Sequence, residues 1–73
     1  MTTQKQKDLN AIDKSILELQ SQLKVAPNEQ EHAETWNIID RNLEIRTTIL
    51  INRYEELSSD QIKLLNLIRK TFG

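Results

Sequence analysis

The feature that most constrains this chain is how little backbone punctuation it carries. Its 73 residues include one proline, Pro27, and one glycine, Gly73, which is the last residue. Sheets and α/β folds reverse the chain repeatedly and draw on glycine, proline and asparagine turns to do so. A chain with one internal break of this kind builds long helices instead. Its length makes one domain, residues 1–73, with no room for a second core. Cysteine is absent, so disulfides and thiolate metal sites are excluded. A core of this size rarely supplies more than about 3–5 kcal/mol unaided. The 20 Ile, Leu and Val side chains must therefore be used fully or shared with a partner.

Before Pro27 the apolar positions are Leu9, Ile12, Ile16, Leu19, Leu23 and Ala26, in alternating steps of three and four. This spacing predicts a heptad seam along one face of a helix over about 5–25. Thr3 with Gln6, or Asp8 alone, can cap its start, and Pro27 ends it. Asn28 followed by Glu31 has capping-box spacing and opens a second helix. Glu29, Glu31 and Glu34 then sit where the positive end of the helix dipole favours them. The apolar pattern continues to about Leu57, which predicts a rod of roughly 45 Å over 28–57, longer than the first helix. Ser58 with Gln61 forms another capping box, and Leu57 with Ile62 a hydrophobic staple, opening a third helix over about 59–72. The expected fold is all-α: an antiparallel αα-hairpin plus a short C-terminal third helix.

On a helical wheel the second helix has two apolar groups. Trp36, Ile39, Leu43, Leu50, Tyr54 and Leu57 cluster within roughly 60°, and Ile38, Ile45 and Ile49 lie roughly 130° away. One group can close against the first helix. The other must be covered by the third helix, a second copy or another protein, since contiguous apolar surface marks interaction sites. The reading adopted puts Trp36, Leu43, Leu50 and Tyr54 inside. It leaves Ile38, Ile45 and Ile49 for a partner, joined by Leu64 and Leu67. Alone, the chain is expected to form homo-oligomers through the same stripe.

Little in the sequence carries chemistry, and no enzyme, cofactor or metal site is expected. A phosphate-cradling glycine loop is impossible with one terminal glycine. His32 is the single histidine and reads as a residue that packs or solvates at a helix start. Asp8 with Asp13, and Glu55 with Glu56, read as solvated faces. Net charge is -1, with an excess of four acids over residues 27–57. Nucleic acid is thus an unexpected partner, although Lys63, Arg69 and Lys70 leave a rival: a homodimeric bundle regulator of plasmid or phage type. No apolar run is long enough to cross a membrane, and 1–8 has no signal-peptide pattern, so the expected location is cytoplasmic.

Two resemblances follow. Residues 12–19, Ile-Asp-Lys-Ser-Ile-Leu-Glu-Leu, look like the opening helix of all-helical chorismate mutases, but residues 1–40 contain no arginine to clamp a dicarboxylate. A hairpin with a proline turn, Trp36 early in its second helix and the segment Ile49-Leu50-Ile51-Asn52-Arg53-Tyr54 near its end resembles the YscE/SsaE/EscE family over residues 12–57. These are small co-chaperones of type III secretion. The resemblance implies binding to a tetratricopeptide-like helical chaperone and, through it, to the needle subunit, kept soluble and monomeric before export. Residues 58–73 extend beyond the shortest members.

Overall fold

A computed structural model describes residues 2–73. It is all-α, with α1 over Gln4–Val25, α2 over Glu29–Leu50 and α3 over Ser59–Phe72, and a single 3-10 turn at Tyr54–Glu56. The starts follow the capping chemistry. The Gln6 backbone N–H donates to Thr3 Oγ1, and Glu31 N–H to Asn28 Oδ1. Ser58 and Gln61 exchange both bonds of a capping box. Ala26 is extended (ψ 123°), as a residue before proline must be, and α1 stops there.

The end of α2 corrects the sequence reading. The helix stops at Leu50 instead of Leu57, so α1 and α2 are equal in length at 22 residues each. The cause is a Schellman motif. Asn52 adopts φ 60°, its N–H donates to the Ile49 carbonyl, and the Arg53 N–H donates to that of Thr48. The left-handed residue redirects the chain through the 3-10 turn, and the segment after Leu50 folds back instead of extending the rod.

That redirection decides the packing. α1 packs along both α2 and α3, whereas α2 and α3 touch only sparsely. The main core draws Leu9, Ala11 and Ile12 from α1, Ile45 and Ile49 from α2, Leu57 from the connection, and Leu65 and Ile68 from α3. Burying large aliphatics of this kind contributes roughly 1.5–3 kcal/mol each before entropy is counted. Leu19 and Ile39 are buried outside this cluster. Asn42 is fully buried in α2; its Nδ2 donates to the Ile38 carbonyl, while its Oδ1 has no hydrogen-bond partner among the described residues. The hairpin is bridged outside by Arg46 Nε on Asp13 Oδ1 at 2.8 Å. With both side chains a third or more exposed, this pair adds about 1 kcal/mol at most.

Candidate functional site

The inner face of α2 falls between the two apolar groups of the sequence reading, taking Ile45 and Ile49 from the one and Ile39 from the other. Ile45 and Ile49 are fully buried in the core and, in this fold, offer no surface to a partner. Leu64 is half-buried against that core. Ile38 and Leu67 are exposed, with Ile38 roughly opposite Trp36 on the wheel. Trp36, Leu43 and Leu50, expected inside the hairpin, are 48%, 44% and 48% exposed. Of the same group, Tyr54 packs against the core, Leu57 belongs to it and Ile39 is buried apart from it. The reason is that α2 packs chiefly against α1, with Leu65 and Ile68 of α3 completing the core around Ile45 and Ile49, and the side of α2 carrying Trp36, Leu43 and Leu50 is left bare.

Trp36, Leu43 and Leu50 stand seven residues apart and so form one stripe along α2. Beside it runs an open groove of about 620 Å³ lined by Asp40, Leu43, Glu44, Thr47, Thr48 and Gln61. It lies where α2 and the start of α3 diverge. Asp40 and Glu44 have no ion-pair partner among the described residues. Thr47 and Thr48 hydroxyls donate to the Leu43 and Glu44 carbonyls, so they present little free polarity. The wall of the groove is acidic and part of its lining is leucine.

A second cluster holds the frame. Asp8, expected on a solvated face, is 1% exposed. Arg69 donates to both carboxylate oxygens, Nε to Oδ1 and Nη2 to Oδ2, each at 2.8 Å. Tyr54 Oη donates to Oδ2 and Gln4 Nε2 to Oδ1, also at 2.8 Å. This is the forked geometry that only arginine offers a carboxylate. Burial alone would raise the Asp8 pKa, but the hydrogen bonds from Arg69, Tyr54 and Gln4 with the Arg69 charge hold it below the usual carboxylate value. Burial and the carboxylate beside it push the Tyr54 hydroxyl up to about 12. The Asp8 bond raises Arg69 further, so it stays charged. The cluster is saturated and ties α1, the 3-10 turn and α3 together. It also occupies one of the three cations, Lys63, Arg69 and Lys70, that a nucleic-acid face would use.

Near it, a cavity of about 380 Å³ is lined by Lys7, Lys14, Arg69 and Phe72 among others. His32 is exposed. No group of three or more His, Asp or Glu that could hold a metal ion occurs among the described residues. No described helix is long and apolar enough to cross a membrane. No protein-family model matches the sequence, and comparisons with curated proteins and with solved structures find no match.

Proposed function

We propose that this chain is a non-enzymatic helical co-chaperone that works by docking on another protein through the Trp36–Leu43–Leu50 stripe of α2. The observation that carries the reading is that stripe, uncovered although α3 is present to cover it. Large apolar side chains left half-exposed at heptad spacing are costly to a small monomer and useful to a partner helix. The partner's identity rests on the family resemblance alone: a tetratricopeptide-like chaperone of type III secretion, with the needle subunit held soluble and monomeric through it in the cytoplasm. In this reading the contact residues move from Ile45 and Ile49 to Trp36, Leu43 and Leu50.

The test is co-expression with tetratricopeptide-type chaperones and needle subunits of secretion operons, followed by co-purification. Leu43→Asp is expected to abolish the complex while costing the chain's own stability only about 1–2 kcal/mol, with its helicity retained in circular dichroism. The reading fails if no such chaperone is stabilised, or if Leu43→Asp leaves the complex intact.

A further inference from the structure

We infer that the docking segment is an amphipathic helix whose apolar seam is flanked by lysine or arginine, laid along α2 with its basic edge over Asp40 and Glu44. This rests on the stripe being the docking surface and adds the chemistry of its occupant. α2 carries five acids against two arginines. One of those arginines, Arg46, is engaged across the hairpin by Asp13. On the wheel, Glu29 and Asp40 lie within roughly 40° of Trp36, and Glu44 within roughly 80°, all on the same side of the stripe. That side is the wall of the groove toward α3, and in an adjoining hollow of about 390 Å³ Glu44 and Asp60 lie beside Arg41, which forms an ion pair with neither. Counted along the whole edge, Glu29, Asp40, Glu44 and Asp60 still outnumber that one cation. Carboxylates with no partner of their own, set along one edge of an apolar seam, occupy the positions that choose partner and orientation in paired helices.

The same edge disfavours a second copy. Two α2 stripes paired antiparallel about Leu43 would set Asp40 and Glu44 of one chain beside those of the other. Pairing them parallel would set the acids of one chain toward Arg46 of the other and draw that side chain from Asp13. A basic-edged helix meets neither obstacle.

Trp36 is the only tryptophan and lies in the stripe, so its emission reports occupancy directly. The full chain is titrated with two tryptophan-free synthetic helices sharing a leucine heptad seam, one flanked by Lys and the other by Glu. The Lys peptide is expected to blue-shift Trp36 emission and to bind about tenfold tighter or more. The preference is expected to shrink in 1 M NaCl. It should invert in Asp40→Lys/Glu44→Lys and weaken in the milder Asp40→Asn/Glu44→Gln, with circular dichroism verifying the fold of each. Equal binding of both peptides would overturn the charge inference while leaving the docking surface standing. Binding of neither would overturn both. A Trp36 shift that follows the chain's own concentration, with dimer in sedimentation, would assign the stripe to a second copy and overturn the inference.

Discussion

Each oxygen of the Asp8 carboxylate accepts two hydrogen bonds, so protonating it disturbs Arg69, Tyr54 and Gln4 together. Because its pKa is lowered in the folded chain, its contribution is complete above the unfolded value near about pH 4 and is lost as pH falls through the native value. Tyr54 has the opposite sign. Its hydroxyl is raised to about 12, so its contribution is complete below about pH 10 and is lost as pH climbs toward the native value. Asp8→Asn is expected to cost about 2 kcal/mol at neutral pH and to flatten the acid limb of stability. Tyr54→Phe should cost about 1 kcal/mol and flatten the alkaline limb. Thermal melts from acid to alkaline pH check both, and parallel acid limbs for wild type and Asp8→Asn would sink the assignment. Ile45→Asp is expected to unfold the chain, since it buries an unpaired charge among aliphatics. Retained helicity and melting cooperativity in that variant would mean the core lies elsewhere.

At the scale of the element, Asn52 decides where α2 ends. A non-glycine residue at φ 60° costs about 1–2 kcal/mol unless its side chain tolerates the region, as asparagine's does. Asn52→Ala should therefore lower stability by about 1 kcal/mol, and Asn52→Gly should match or slightly exceed wild type in chemical denaturation. An Asn52→Ala chain as stable as wild type would remove the turn's claim to direct the fold. The helix starts were legible because Thr3, Asn28 and Ser58 cap by local chemistry, and Pro27 stops a helix unaided. The end of α2 was not, since Leu50, Ile51, Tyr54 and Leu57 keep a helical rhythm across the Schellman turn and no glycine marks it. An asparagine followed by a cation at the edge of that run was the available signal. The inner face of α2 was illegible for a different reason: its two apolar groups are comparable, and the core side includes Asn42, which no hydrophobic pattern marks. Asp8 was illegible because Tyr54 and Arg69, which bury and fork its carboxylate, are 46 and 61 residues away, beyond any local rule.

At the scale of the whole molecule, the apolar side chains divide between the core and the exposed side of α2. α3 folds against α1 and closes a three-helix core over Ile45 and Ile49, while Trp36, Leu43 and Leu50 stay outside. The acidic groove and the saturated Asp8 cluster are thus separate features: Asp40 and Glu44 line an open surface with no ion-pair partner among the described residues, and the Asp8 cluster ties α1, the 3-10 turn and α3 together. The core is also unevenly placed. Three helices converge on Leu9 and Ile12 at the start of α1, and by Leu19 only the hairpin's two helices remain to bury apolar surface. α3, at 14 residues, ends against the start of α1 and leaves the Pro27 end of the hairpin without a third layer. Protection from amide hydrogen exchange should therefore form a gradient. Amides around 9–16, 45–49 and 65–68 are expected to exchange only by global unfolding, and those near 20–25 and 31–36 by fraying of the hairpin tip. Uniform protection along α1 would contradict this. A chain fastened at one end and loose at the other lets the tip around Trp36 open while Ile45 and Ile49 stay locked, so that under the docking proposed above any accommodation of a helix would be confined to the tip.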